Sequence, residues 1–292
     1  MYLLYYLIIF IIILLVYLHI INEIKISDTL DIYEIDYVNN SNLQEISELK
    51  HPFIFLFEND FDQYSIDDSI DFIVKDCNDN NNDIIKINYS SLKILIDKDK
   101  KSKYYTEHNY EVCNNIISKN FYKFDKFLKP NLNVSTNYDY IFGSKGSFTP
   151  LRYHTNSRVY LYVKKGIVEV KMIPWKFEKL LDHYTEYDSK YIDNLSNINL
   201  WNSKINNVTV LEFSVNKDNI LYIPPFWFYT IKFETDSAIY SFQYKNIFNI
   251  ITNIPKLSLQ FLQNSNTEKK IFKTIDDFNI IDENDSNSTS QS

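Results

Sequence analysis

The sequence is poor in glycine, cysteine and arginine, and these shortages exclude several classes of function. Only three of the 292 residues are glycine, so the chain contains neither a G-x-G-x-x-G nor a Walker A phosphate-binding loop. Two cysteines, Cys77 and Cys113, cannot build a zinc cluster, although they could form one disulfide or remain free thiols. The net charge is −8 with lysines spread among acidic residues, so we expect no nucleic-acid partner.

A long uncharged run occupies the N-terminus. Residues 1–21 contain no Asp, Glu, Lys or Arg, and the first charged side chain is Glu23. As a helix this run would be about 31 Å long, enough to cross a hydrocarbon core of ~30 Å. No basic segment precedes it and no small-residue cleavage motif follows, which favours a single-pass membrane anchor over residues 1–22. A cleavable signal peptide is the competing interpretation, and the flanking charges leave the side of the membrane undecided.

The remaining chain changes character along its length. Residues 23–130 are mixed: LDIYEIDYV and HPFIFLF predict strands, KDCNDNNNDI (75–84) predicts a polar loop, and VCNNIISKNFYKFDKFL predicts a helix that ends before Pro130. From 131 to 246 short runs rich in Tyr, Val, Ile and Phe predict an all-β core. A C-terminal helix is expected over 247–263, interrupted by Pro255, and a disordered tail over 264–292.

Within the β region, RVYLYVKKGIVEVKMIP predicts two strands around Lys165-Gly166. DNILYIPPFWFYTIKFE and SAIYSFQY predict a further pair. Many short strands at this spacing are typical of a sandwich, a jelly roll or a barrel. The helix over 247–263 could pack against this core or join two copies of the chain into a homo-oligomer.

Three segments of this region together resemble the JmjC-like cupins, a family of 2-oxoglutarate oxygenase-type proteins. They are FGSKGSFTPLRYHTN (142–156), VYLYVKKGIVEVKMIPWKFEKL (159–180) and DNILYIPPFWFYTIKF (218–233). The resemblance covers roughly residues 131–245 and implies a mainly β double-stranded β-helix (jelly roll) with flanking helices behind an N-terminal transmembrane helix. Together with a composition typical of AT-rich coding sequences, the chain is similar to degenerate, membrane-anchored members of large DNA viruses.

The resemblance also implies that the family's iron site is altered. Aligned without gaps, Arg152 takes the place of the first ligand histidine, His154 that of the ligand Asp, and Tyr229 that of the distal histidine. Ile167 replaces the lysine that holds 2-oxoglutarate, while Thr149 keeps a residue type that binds this co-substrate. Because iron needs a facial triad and arginine cannot coordinate it, the resemblance implies an inactive member with no cofactor.

A shift of the register by two residues offers an alternative. It would place His154 on the ligand histidine and Asn156 on the ligand Asp, without supplying a distal histidine. The chain would then be an Fe(II)- and 2-oxoglutarate-dependent hydroxylase with rearranged ligands, in which His154 is the one metal ligand retained.

Both arginines of the chain, Arg152 and Arg158, lie in this motif, whereas 28 lysines serve elsewhere. If these residues lie on one strand, positions 152, 154, 156 and 158 share a face. The planar guanidinium group of arginine suits bidentate binding of a carboxylate or a phosphate. This pattern predicts a pocket for a small anion. Its candidate residues are Thr149, Arg152, His154, Asn156, Arg158 and Tyr229. The alternative is that Arg152 pairs with a buried acidic residue such as Glu212, Glu169 or Glu234 and fills the former iron cavity.

These observations predict a membrane-anchored, non-catalytic binding or structural module, held to the membrane through residues 1–22. A membrane-bound protein–protein scaffold is a third interpretation. It would use the β surface and the C-terminal helix and would not depend on Arg152.

Overall fold

The computed structural model describes residues 2–58, 66–77, 84–98, 103–188, 190–266 and 273–274. The protein is mainly β, with two sheets and a few helices. The helices are α1 Tyr2–Ile24, α2 Asn40–Ser47, α3 Tyr89–Lys98, α4 Tyr110–Asn115, α5 Ser118–Leu128 and α6 Ile247–Asn266. The strands are β1 Tyr33–Glu34, β2 Phe53–Leu56, β3 Asp71–Asp76, β4 Ile84–Asn88, β5 Tyr104–Thr106, β6 Asn133–Gly143, β7 Arg152–Tyr153, β8 Arg158–Lys165, β9 Ile167–Ile173, β10 His183–Tyr187, β11 Ile192–Ser196, β12 Leu211–Asn216, β13 Asn219–Ile223, β14 Phe228–Phe233, β15 Ser237–Asn246 and β16 Lys273–Thr274.

Within the described ranges, the strands form one sheet of ten strands and one sheet of six. The large sheet has the order β1-β2-β13-β8-β15-β6-β5-β3-β4-β16, and the small sheet has the order β10-β11-β7-β14-β9-β12. Pairing is antiparallel except between β1 and β2 and between β4 and β16. Consecutive strands often change sheets, since β8, β13 and β15 lie in the large sheet while β9 and β14 lie in the small one.

Strand β8 contains an uninterrupted apolar run, residues 159–163, whose side chains enter two different cores. Val159, Leu161 and Val163 pack against side chains of the small sheet. Tyr160 and Tyr162 point to the other face, into the aromatic core shared with α2 and α5. Because both faces are buried, the strand lacks the polar alternation of a solvent-facing strand.

Several predicted elements are confirmed and others need correction. The two strands around Lys165-Gly166 are present as β8 and β9. The segment at 218–234 forms two strands rather than one, because Pro224-Pro225 ends β13 and begins a turn. The predicted helix at 112–128 is broken into α4 and α5, although it ends at Leu128 as expected. Of the strand predicted at 30–38, only Tyr33–Glu34 pairs with β2.

The remaining expectations concern loops, termini and thiols. Part of the loop predicted at 75–84 belongs to β3 and β4, and residues 78–83 lie outside the described ranges. Helix α6 continues through Pro255 to Asn266. Of the tail predicted to be disordered, 267–272 and 275–292 lie outside the described residues, whereas β16 pairs with β4. Cys77 and Cys113 are both free thiols, so no disulfide joins them.

Helix α1 is long and apolar enough over Leu4–Ile24 to cross a membrane, judged by length and composition, and a signal sequence would satisfy the same criteria. Most of its side chains are exposed. At its C-terminal end Asn22 donates a hydrogen bond to Glu48 (2.7 Å), and Glu23 is buried. The helix therefore projects from the β structure and joins it through its last turn.

The turn between β8 and β9 depends on a glycine. Gly166 has φ +83°, and a Cβ there would lie 2.1 Å from Ser237 Oγ. Gly146 has a similar φ of +81°, but its nearest neighbour, Lys103, would be 3.6 Å from the added carbon. Both glycines have a left-handed backbone, but only Gly166 lacks room for a side-chain carbon.

We therefore expect Gly166→Ala to destabilise the protein more than Gly146→Ala. Both substitutions carry about 1–2 kcal/mol of left-handed strain, and Gly166→Ala adds about 1–3 kcal/mol of overpacking. Urea unfolding of the full chain in detergent micelles measures the difference. Equal losses for the two variants would contradict the steric argument.

Candidate functional site

Arg152 is held between two buried carboxylates. Its Nη2 lies 2.5 Å from Glu107 Oε2, and its Nη1 lies 3.2 Å from Asp193 Oδ2. Asp193 comes from β11, the neighbour of β7 in the small sheet, whereas Glu107 follows β5 of the large sheet. The guanidinium thus links the two sheets through a charge-assisted hydrogen bond to Glu107, and it forms an ion pair with Asp193 within its own sheet.

Two further side chains complete what we call the interior charge cluster: Lys75, Glu107, His108, Arg152 and Asp193. Lys75 Nζ lies 2.6 Å from Glu107 Oε1, whereas Arg152 contacts the other oxygen of that carboxylate. His108 Nε2 lies 3.3 Å from Asp193 Oδ2. Glu107 and His108 are nearly inaccessible, with 2% and 6% of their surface exposed. Each carboxylate therefore has two partners of the kind that compensate for burial.

The cluster's carboxylates are kept ionised by their neighbours. Burial alone would raise the pKa of Glu107, but the charges of Arg152 and Lys75 hold it well below its ordinary value. The same competition between burial and Arg152 lowers the pKa of Asp193. Tyr229 is opposite Arg152 in the β14–β7 pairing, and burial raises its pKa, so its hydroxyl stays protonated.

The loop that carries Glu107 and His108 is fixed by Asp139 of β6. Its carboxylate accepts hydrogen bonds from the backbone N–H groups of His108 (2.7 Å) and Asn109 (2.9 Å). His108 has φ 62°, a left-handed conformation that costs free energy in a non-glycine residue. The His108 ring stacks on Tyr191, with the ring centres 3.8 Å apart. These contacts direct the imidazole toward Asp193.

The structure does not assemble the six predicted pocket residues into one site. Strand β7 ends at Tyr153, and the chain passes to the large sheet before β8 begins at Arg158. The expectation that positions 152 to 158 share one strand face is therefore wrong. Arg158 pairs with Glu48 and donates from Nε to Gln44 (3.1 Å), so its charge belongs to a separate cluster beside α2.

The other predicted residues make local structural contacts. Thr149 Oγ1 accepts a hydrogen bond from the Ile231 backbone N–H at 3.0 Å. Asn156 donates to Gln243 at 3.2 Å. His154 Nε2 lies 3.1 Å from the Ile223 carbonyl oxygen, to which it donates, and burial lowers its pKa to about 3, so the ring is neutral.

Thr149 also lines a small cleft on the small sheet. The cleft has a volume of about 160 Å³ and is formed by Phe148–Leu151, Ser196–Leu200 and Thr230. Ligand pockets for metabolite-sized molecules are typically about 300–1,000 Å³. Arg152 and Tyr229 do not line this cleft. It is therefore not the anion pocket that the sequence predicted.

Arg152 does pair with buried acidic residues, but not with the expected ones. Glu212 pairs with Lys171, and Glu169 and Glu234 pair with Lys232, all on the partly exposed face of the small sheet. The true partners, Glu107 and Asp193, carry no local sequence signal. Only the fold brings them within reach of Arg152, since they lie far from it along the chain.

The residues present do not fit an iron site. The positions that the resemblance assigns to iron ligands hold an ion-paired guanidinium, an imidazole bonded to a backbone carbonyl, and a protonated tyrosine. Across the described ranges, no group of three or more His, Cys, Asp or Glu side chains is arranged to hold a metal ion. We therefore derive no reaction step through iron or 2-oxoglutarate.

Comparison with known proteins adds no assignment: no protein-family model matches the chain, and no curated protein matches its sequence. The class is defined by the fold alone, a mainly β protein with two sheets, a few helices and an N-terminal apolar helix.

Removal of the Arg152 guanidinium should lower the free energy of unfolding, because two buried carboxylates would lose a partner. We expect Arg152→Met to lose about 3–5 kcal/mol of unfolding free energy, because Glu107 and Asp193 would stay buried with less compensation. Adding Glu107→Gln and Asp193→Asn should recover part of that loss. Lys232→Met, which breaks the partly exposed ion pairs with Glu169 and Glu234, is the control and should cost about 1 kcal/mol or less. Chemical denaturation of the full chain measures all three. A loss no larger than the control's would contradict a structural role for Arg152.

The same cluster should make the protein acid-sensitive. The unfolded carboxylates titrate near 4.5 for Glu and 3.8 for Asp, above their folded pKa values. The two ionised carboxylates therefore stabilise the folded state fully above about pH 5. This contribution to the free energy of unfolding is lost as the pH falls, by up to about 1.4 kcal/mol per pH unit for each carboxylate that binds a proton. Asp193→Asn should flatten this dependence relative to wild type, whereas Asp71→Asn, at an exposed carboxylate, should not. Denaturation between pH 3 and 7 is the measurement. Parallel curves for wild type and Asp193→Asn would refute the assignment.

Proposed function

We propose that the chain is a membrane-anchored, JmjC-like cupin module that acts as a non-catalytic structural or binding module. One observation carries this proposal. At the position that the resemblance assigns to the first iron ligand, Arg152 forms ion pairs with Glu107 and Asp193. A guanidinium that is ion-paired to two carboxylates cannot serve as an iron ligand, which supports a non-catalytic function.

The anchoring half of the proposal is supported by α1. Its apolar span Leu4–Ile24 projects from the β structure with most of its side chains exposed, an arrangement that water does not favour. Burial of these side chains in a bilayer would remove them from water, and α1 would then hold the β structure close to the membrane surface.

The anion pocket is the less favoured form of this function. Arg152 is shared by two carboxylates, and Arg158 is paired with Glu48. An incoming anion would have to displace one of these internal partners. A scaffold function, by contrast, needs neither arginine to be free and is compatible with the exposed sheet and helix surfaces.

One set of measurements on the purified full chain in detergent micelles tests the choice. After loading with Fe(II), we expect no stoichiometric iron by mass spectrometry and no 2-oxoglutarate binding by calorimetry. Sulfate, phosphate and succinate should give no saturable rise in the melting temperature, only the gradual, concentration-dependent stabilisation that such anions give any protein.

Two results would redirect the proposal. One iron per chain together with 2-oxoglutarate uptake, both abolished by His154→Ala, would establish the hydroxylase with rearranged ligands. A saturable stabilisation by one anion, lost in Arg152→Lys but kept in Lys232→Met, would establish the anion pocket.

A further inference from the structure

Helix α6 is amphipathic in the sense opposite to that of a helix on a soluble protein. The side chains that it turns toward the protein are largely polar, whereas many that it turns outward are apolar. A surface helix normally buries its apolar stripe and leaves the polar one in water.

The polar stripe consists of Asn249, Asn253, Lys256 and Gln260, spaced four, three and four residues apart. Asn249 Nδ2 donates to the Thr155 carbonyl oxygen at 2.6 Å, and Lys256 Nζ lies 2.8 Å from Asn194 Oδ1. Gln260 Nε2 donates to the carbonyl oxygen of Asp188 at 2.7 Å. These contacts hold the stripe against the β structure along most of the helix.

The apolar stripe lies on the other side. Its members are Ile247, Ile251, Ile254, Phe261 and Leu262, which are 49%, 38%, 51%, 72% and 55% exposed. At 100° per residue they fall within about one third of the helix circumference. The whole helix has no acidic residue and a single charge, Lys256, which faces inward. Ser258 and Ser265 are exposed within the same sector, so the outward face is mainly apolar and carries no charge, in a chain of net charge −8.

The position of α6 points to what covers this face. The helix begins where α1 ends: the His19 and Phe248 rings stack at 4.5 Å, and Asn246 donates to Glu23 at 2.5 Å. From there α6 runs across the β structure for 20 residues, about 30 Å. If α1 spans the bilayer, the first turn of α6 is fixed at the membrane surface.

We propose that the apolar stripe of α6 is immersed in the interfacial region of the same lipid bilayer that α1 crosses. The inference rests on the proposed anchoring function. Lipid acyl chains, rather than water, then contact the outward isoleucines, and the polar stripe remains bonded to the β structure. The protein is held by one spanning helix and one surface helix, which fixes the orientation of the β structure against the membrane.

The test places a spin label on α6 in the full chain. Ile254→Cys and Ile251→Cys are made with Cys77→Ala and Cys113→Ala, labelled, and reconstituted into phosphatidylcholine vesicles. Ile94→Cys on α3, 49% exposed in the native chain, is the matched control. Electron paramagnetic resonance then compares the collision rates with oxygen, which enters lipid, and with a water-soluble nickel chelate. Immersion predicts an oxygen-to-nickel ratio several-fold higher at 251 and 254 than at 94.

Each other result overturns the proposal, and the results are distinguishable. Loss of the chain from the vesicles under alkaline carbonate washing would remove the anchor and the α6 inference together. Retention with equal ratios at all three positions would leave the anchor intact and place the α6 stripe in water. Dipolar broadening between labels at 254, with low accessibility to both reagents, would show that a second copy covers the stripe.

Discussion

The ion pairs of Arg152 are the constraint on which the rest of the structure depends. A buried guanidinium that lacked one of its carboxylate partners would strongly destabilise the folded state. The fold must therefore place both Glu107 and Asp193 next to Arg152. Glu107 lies next to His108, which has a left-handed backbone conformation. Asp139 stabilises this loop by accepting hydrogen bonds from two of its backbone N–H groups. The mixed segment before residue 130 and the β core are consequently bound by charge as well as by apolar packing.

The elements that the sequence predicted well are those set by local pattern. Strands β8 and β9 follow from a run of β-branched and aromatic residues around a glycine whose positive φ makes the turn. The shared face of Arg152 and Arg158 was wrong because nothing in residues 154–157 marks the passage from one sheet to the other. The partners of Arg152 could not be predicted, since many acidic residues offer the same chemistry and only the tertiary fold selects two of them.

Helix α6 shows a related limit. Its periodicity predicted a helix, and Pro255 predicted an interruption that does not occur. Proline removes one backbone hydrogen bond and bends a helix, but here its ring lies on the exposed side and displaces no packed side chain. Which side of α6 faces the protein could not be read from periodicity, because the pattern gives the stripes but not their direction. The bonds to Thr155, Asn194 and Asp188 decide it.

The wide separation of the cluster's members along the chain has a consequence for biosynthesis. Glu107 leaves the ribosome well before Arg152, and Arg152 well before Asp193. Until residue 193 has emerged, the sheets cannot close over these charges without leaving one of them unmatched. Helix α1 ends at residue 24, so it leaves the ribosome long before any member of the cluster. The two sheets can therefore close over the cluster only late in synthesis, after Asp193 has emerged.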